Sequence, residues 1–510
     1  MSAPGTTIRP AGPPPARRAP ADRSAVAMAV LIIMGALAAG ILAADAPLLT
    51  VAGASALMLG IAIILRPDIA TLTTIAILYT NAAVVAVRFH GVPLFVGAFV
   101  PLLLVVPLAR DLVVRRLPVV APPMLGWMVV LLFIHLLSAL FSSDTSLSWD
   151  AVVVFLVEGF GLYFLLINVI RTPEMLRSVT WVLLISGALV SVLAVHQVVT
   201  SNYDSNYLGF AQADSAIRTG ATTLAGDVLQ PRMAGPIGET NRFAQTMLML
   251  VPLGLYRMIG ERSTSLRVIA GLMTLAITLG VVLSFSRGGA VGLAALVVAL
   301  MVLRLVRVRN VLVLVVVLGL ILVAFPQYTN RLTSLADQGG FGDSTSTAVT
   351  DTSLLSRATE TLAAALVIVD HPVLGVGPDM FPVYYEEYAQ VVGILIRNDA
   401  AREAHNLYLG IGAELGIPGL IVFLIIAWLT VRMILAARRA SLIRRPDLER
   451  LTTPYLLALL TYYVTGLFLH LSFGRFYWLM LAVAGAAAII TLRETAADKT
   501  SDQGAISQSV

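Results

Sequence analysis

Three short stretches hold the side chains best suited to handling a phosphate and a proton. Gly238-Glu239-Thr240-Asn241-Arg242-Phe243-Ala244 opens one apolar run, and Ser286-Arg287-Gly288-Gly289 opens another. A guanidinium presents a planar fork of donors that matches phosphate oxygens. Glycines beside it would let a phosphate approach the backbone and the next helix N-terminus. Plainer readings stand beside these. Arg287 could snorkel to lipid headgroups, and Glu239 could neutralise Arg242, whose charge opposes the dipole of the helix it opens. The third stretch runs from Ala404-His405-Asn406 to Glu414-Leu415-Gly416-Ile417-Pro418-Gly419. A histidine can exchange a proton near neutral pH, although one at a membrane boundary can also be a simple hydrogen-bonding residue. Glu414 lies about two and a half helical turns beyond His405, too far to be its direct partner. As an acid within an apolar run it is a functional candidate in its own right. Asn241, Arg357, Asn406 and Glu414 are thus supporting candidates around Arg242, Arg287 and His405.

Between these stretches lie Ser356-Arg357 and His371-Pro372-Val373-Leu374-Gly375-Val376-Gly377-Pro378-Asp379, followed by Tyr384, Tyr385 and Tyr388. The pattern predicts an amphipathic helix over 354–369 and then a Gly/Pro turn. The tyrosines read best as an aromatic belt at the headgroup boundary, with stacking on sugar faces as the alternative. No metal-binding motif and no phosphate-binding P-loop occurs, so neither a metal nor another cofactor, nor ATP hydrolysis, is expected. With no cysteine in the chain, disulfides, thiolate metal sites and cysteine nucleophiles are excluded.

These residues must be positioned by membrane helices. Apolar residues make up 58 % of the chain and charged ones 12 %, about half the charge of a soluble domain, and mean hydropathy is +0.89. Uncharged runs of about 17–25 residues recur, the length that crosses a hydrocarbon core of about 30 Å. The fold class is therefore an all-α polytopic integral membrane protein with about 12–14 transmembrane helices. Expected spans include 25–43, 46–65, 92–109, 150–170, 243–259, 310–326 and 473–492, the first being a retained span rather than a cleaved leader. Arginines concentrate in alternate connections, which places both termini on the cytoplasmic side. The net charge of +5 follows from those connections and does not imply nucleic-acid binding. The resulting division is a disordered tail at 1–23, spans over 24–198, an exterior loop at 199–242, spans over 243–326, a large exterior loop at 327–405, spans over 406–492 and a tail at 493–510. Arg287 falls outside, against the charge bias, as do Arg88 and Arg475.

The order and placement of these motifs resemble the O-antigen ligase and polymerase superfamily of bacterial envelope glycosyltransferases. The resemblance runs from about residue 150 and is densest over 238–425. It rests on Asn241-Arg242, on Ser286-Arg287-Gly288-Gly289, and on Ser356-Arg357 with the turn from His371 to Gly377. His405-Asn406 with Gly416-Ile417-Pro418-Gly419 completes it. It implies a GT-C-like helical membrane fold with a large periplasmic loop, in the inner membrane, and a metal-independent, inverting glycosyltransferase. The donor would be an undecaprenyl-pyrophosphate-linked glycan, and the acceptor a lipid A-core or another surface polymer. On that resemblance Arg242 and Arg287 would hold the donor pyrophosphate, and His405 would act beside the acceptor hydroxyl. The last motif leans towards a ligase; a polymerase of the same superfamily is the alternative, and a small-anion transporter a more distant one.

Lysine lacks the bidentate fork of arginine. Arg287→Lys is therefore expected to insert normally yet lose glycan transfer by about tenfold or more, each tenfold being about 1.4 kcal/mol. Comparing surface glycan with membrane protein level in a complemented deletion strain checks this, and full transfer would remove the clamp.

Overall fold

The computed structural model describes residues 58, 60–223, 226–304, 352–394, 396, 402–469 and 474–507. The expected tail at 1–23, the spans at 25–43 and 310–326, most of that at 46–65, and residues 327–351 of the large loop lie outside them. The chain divides into two compact units, Met1–Pro67 and Asp68–Val510, and the site belongs entirely to the second.

That unit begins with α1 (Asp68–Tyr79) and α2 (Ala82–His90), bent by 57° at a break that contains Asn81. The expected span at 92–109 is instead a series of short turns. It comprises α3 (Leu94–Ala98), a 3-10 segment (Val100–Leu104), α4 (Val105–Ala109) and a π segment (Arg110–Val114). Pro93, Pro101 and Pro107 each remove a backbone donor and crowd the preceding turn, so one continuous helix cannot form. Next come α5 (Pro123–Leu140), α6 (Thr145–Val154), a second π segment (Phe155–Gly161), α7 (Leu162–Val169) and α8 (Pro173–Val199). Asp144 caps α6 by accepting from Ser146 N and Leu147 N, and Thr172 caps α8 ahead of Pro173.

The 199–242 segment contains an element not anticipated from sequence, an antiparallel hairpin of β1 (Gln212–Thr223) and β2 (Gly226–Gly235). Then follow α9 (Thr240–Leu248), α10 (Val251–Gly260), α11 (Thr264–Leu283), α12 (Arg287–Val302), α13 (Thr352–Asp370), α14 (Phe381–Val392), α15 (Leu407–Arg444), α16 (Pro446–Thr465) and α17 (Arg475–Ser507). Among the described residues, 7 helical stretches are long and apolar enough to cross a membrane. The protein is an all-α polytopic membrane protein, with one small hairpin among the described residues.

The helix α17 forms the axis of the bundle. In its apolar window 83 % of residues are buried, against 39 % for α5 and for α11. Its Tyr477 stacks on Tyr462 of α16, ring centroids 4.7 Å apart. Connections assigned by charge to one side do meet. Arg171 donates to Pro118 O at 2.8 Å, and Arg445 reaches Asp498 at 3.1 Å.

A second core lies in the lobe of α13 and α14, where Ala363, Val367, Phe381, Tyr385 and Tyr388 pack with Ala404 and Ala413. Tyr385 and Tyr388 are 3 % and 8 % exposed, so they serve this core and form no belt. Tyr384 sits edge-on to His371.

The lobe is fastened to the bundle at a break in α15. Gly416 has φ 70° and ψ −178°, which interrupts the helix. Pro418 has no N–H, so the carbonyl of Glu414 lacks its usual intrahelical donor. The His371–Gly377 turn supplies it: Gly377 N donates to Glu414 O (3.1 Å), Val376 N to Ala413 O (2.9 Å), and Ile417 N donates back to Pro372 O (2.8 Å). Ser138 Oγ of α5 lies 2.7 Å from Leu374 O and 2.9 Å from Glu414 O. A Cβ on Gly375, at φ +68°, would lie 2.3 Å from the backbone carbon of Glu414. Gly375→Ala is therefore expected to destabilise the protein by roughly 2–3 kcal/mol through overpacking and backbone strain. The midpoint of thermal unfolding in detergent measures this, and an unchanged midpoint would mean the turn is not seated as described.

Candidate active site

The first strand of the site is the start of α9. Glu239 is its N-cap, its carboxylate accepting from Asn241 N (2.9 Å), Asn241 Nδ2 (2.8 Å) and Arg242 N (2.6 Å). A carboxylate at this position also complements the helix dipole. Neutralising the Arg242 side chain falls to another acid. Arg242 Nη2 contacts Glu403 Oε1 at 2.7 Å and Oε2 at 2.5 Å. Glu403 was not anticipated, although its charge lies only two residues before His405.

The start of α12 lies beside it. Ser286 Oγ accepts from Gly289 N at 3.2 Å as the helix cap and donates to Asn241 Oδ1 at 2.9 Å. Asn241 Oδ1 also accepts from Arg232 Nη2 at 3.3 Å, and Arg232 Nε donates to Ser284 O at 3.1 Å. Asn241 thus joins the two arginine-bearing helix starts. Gly289 serves packing rather than ligand approach, since a Cβ there would lie 3.1 Å from that of Ala244. Gly288 faces a cavity of about 510 Å³ together with Arg287, Arg357, Val291, Leu362 and Phe468.

The third component is the segment 402–406 against α13. His405 Nε2 lies 3.5 Å from Glu360 Oε2, and Arg402 Nη1 3.7 Å from Glu360 Oε1. Ser356 Oγ donates to Glu360 Oε1 at 3.0 Å. Sequence reasoning missed Glu360 and Arg402; the spacing of Ser356, Arg357 and Glu360 on one helical face was the signal available. Burial pushes the His405 imidazole down to about 3, and the charges of Arg357, Arg242 and Arg402 act in the same direction. Its approach to Glu360 is therefore that of a neutral ring, not a charged pair. Burial also raises Glu403 and Asp379, against the pull of Arg242.

Asn406 caps α15, Oδ1 accepting from Tyr408 N (3.0 Å) and Leu409 N (3.1 Å), while Nδ2 donates to Leu467 O (3.2 Å). Its side chain is committed to holding the backbone beside His405. Glu414 is buried beneath the docked turn, with a structural setting of its own. His405 and Phe285, which precedes Ser286-Arg287, have φ of 45° and 51°. Such left-handed non-glycine residues cost of order 1–3 kcal/mol each and persist where surrounding structure holds them. Arg242 faces a separate cavity of about 230 Å³ with Asn81, Glu158, Arg475 and Phe476. The expected residues thus form a linked group: Arg242 and Arg287 through Asn241 and Ser286, Arg287 and Arg357 through one cavity, and His405 among the arginines.

A half-buried neutral imidazole in the field of several guanidinium groups is an arrangement for anionic substrates. Residues 272–424, from within α11 to within α15, match the family described as O-Antigen ligase. That stretch is similar to the O-antigen ligase family. No curated protein matches the chain. The matched region includes Arg287, Arg357, Glu360, Glu403 and His405, while Arg242 precedes it. The match supports glycan ligation or polymerisation in general, on a lipid-linked or polysaccharide substrate.

Because the His405 pKa is depressed, the neutral form persists as pH falls and is lost only near about 3. In a ¹³C-histidine-labelled sample, with His405→Gln for assignment, its signal is expected to stay that of neutral imidazole from pH 8 to pH 5. Titration near the unperturbed value of about 6.5 would contradict the arginine field.

Proposed function

We infer that the protein transfers a glycan from an undecaprenyl-pyrophosphate carrier to a lipid A-core or other surface acceptor, at the outer face of the cytoplasmic membrane. The observation that carries this reading is the Arg242–Glu403 ion pair two residues from a neutral His405. The donor pyrophosphate replaces Glu403 as the partner of Arg242 and is shared with Arg287. Arg357 also lines the Arg287 cavity, whose Val291, Leu362 and Phe468 walls suit the adjoining isoprenoid.

In the reaction the acceptor hydroxyl oxygen attacks the anomeric carbon, and the bond from that carbon to the phosphate oxygen breaks. The electron pair leaves on the pyrophosphate, where fixed guanidinium groups stabilise the developing charge without reorganising. The hydroxyl proton passes to the neutral imidazole of His405. A pyrophosphate bound among Arg242 and Arg357 offsets the charges that depress His405, so the histidine becomes a stronger base once the donor is seated. Attack opposite the leaving group inverts the anomeric centre. The activated donor supplies the driving force. The arginine distribution supports both termini on the cytoplasmic side, and the family resemblance supports the inner membrane as location.

His405→Ala is expected to retain the lipid-linked donor but lower transfer by about 10²–10⁴-fold, the usual contribution of a positioned acid–base group. In a deletion strain, full-length chains left on the carrier support a ligase, whereas single repeat units would replace that reading with a polymerase. Unchanged surface glycans would overturn both.

A further inference from the structure

We propose that the cavity shared by Arg242 and Arg475 is the subsite for the sugar residue joined directly to the donor pyrophosphate. This rests on the reading that Arg242 holds that pyrophosphate. The two cavities flank the pair of helix starts that Asn241 and Ser286 connect, and their linings differ in kind. On the Arg287 side Val291, Leu362 and Phe468 form an apolar wall, suited to the lipid end of the donor. On the Arg242 side Asn81, Glu158 and Arg475 stand in the lining beside Ile237, Gly474 and Phe476, which offers hydrogen bonds and one aromatic surface. At about 230 Å³ this cavity falls below the roughly 300–1,000 Å³ of drug-sized pockets. It has room for one sugar ring.

The polar groups there are built in at some cost. Glu158 lies in the middle of the spanning stretch Thr145–Val169, whose other acid, Asp150, lies near its start; an ionisable residue in that position marks a functional site by default. It sits in the π segment Phe155–Gly161, the kind of helix widening that recurs at functional sites. Asn81 occupies the left-handed region at φ 59° in the α1–α2 break. Two unrelated backbone irregularities therefore deliver their polar residues to one cavity. There Arg475 Nη1 contacts Glu158 Oε1 at 2.9 Å, and Arg475 Nη2 donates to Asn81 Oδ1. Arg475 Nε is buried and has no hydrogen-bond partner among the described residues, leaving one donor in hand. The guanidinium also stands 5.7 Å from the Phe476 ring centroid. Because Glu158 balances Arg475, the pair has no charge left over for a uronic acid. The subsite suits a neutral sugar, with hydroxyl or amide substituents hydrogen-bonded by Glu158 and by the remaining capacity of Asn81, whose Nδ2 also donates to Pro236 O at 2.9 Å. Arg475 acts here as a positioning residue that orients both.

Two substitutions test this with little disturbance of the backbone. Asn81→Gly keeps the left-handed conformation at no steric cost while removing the amide, and Glu158→Gln keeps the volume while removing the charge. In lipid nanodiscs, transfer is measured from two undecaprenyl-pyrophosphate donors that are epimers at the sugar next to the pyrophosphate. Sugar-free undecaprenyl pyrophosphate serves as the competing inhibitor. Each variant is expected to raise donor KM at least tenfold and to change the preference between the epimers, while the sugar-free compound inhibits as in the wild type. Unchanged preference in both variants, or an equally large loss of inhibition by the sugar-free compound, would overturn the subsite. Arg242→Lys separates the two readings. Wild-type inhibition of that variant by the sugar-free compound would remove the pyrophosphate assignment, whatever the epimer preferences show.

Discussion

Three backbone hydrogen bonds between the 371–377 turn and the interrupted start of α15 are the constraint on which the site's geometry rests. The arginines and the histidine come from parts of the chain far apart in sequence. Arg242 and Arg287 open bundle helices, whereas Arg357 and Glu360 belong to the lobe of α13 and α14. His405 lies on the strand of chain that passes from one to the other. The lobe holds its position because Gly416 and Pro418 withhold donors from the helix and the turn satisfies the carbonyls left over. A regular helix at this point would have no unpaired groups to offer and nothing for the lobe to grip.

Electrostatics builds the rest. A cluster of guanidinium groups in a partly buried site repels itself, and the chain offsets this with Glu360 and Glu403 rather than with solvent. Burying charge is tolerated only where pairing and hydrogen bonds accompany it. Glu360 meets both conditions through Arg402 and Ser356, and Glu403 through Arg242. One outcome is a histidine kept neutral by its surroundings.

Much of this organisation could be read before any coordinates. Hydropathy and arginine placement define the class; Arg242 stands out because a cation at a helix start opposes the dipole, and Arg287 because it falls outside against the charge bias. What the residues alone did not disclose is who partners whom. Glu239 looked like the counter-ion of Arg242 because it is adjacent, yet its carboxylate is engaged by backbone N–H groups, and the counter-ion comes from 161 positions away. The tyrosines of α14 were misjudged for a similar reason. Amphipathic aromatic spacing is the same for a membrane belt as for a small lobe core, and only packing distinguishes them. The three prolines between 93 and 107 did announce a broken segment, but the hydropathy of the run conceals it.

The Arg242–Glu403 pair has a further consequence for turnover. A tethered carboxylate beside its arginine is present at a high effective concentration, so an incoming pyrophosphate must win an exchange rather than fill an empty place. The same competitor acts after the reaction. Once the sugar has left, the spent carrier retains fewer contacts while Glu403 remains where it was, ready to reclaim the guanidinium. On the proposed reading, the protein carries its own displacer, one that discriminates against the empty carrier and clears the site for the next loaded one.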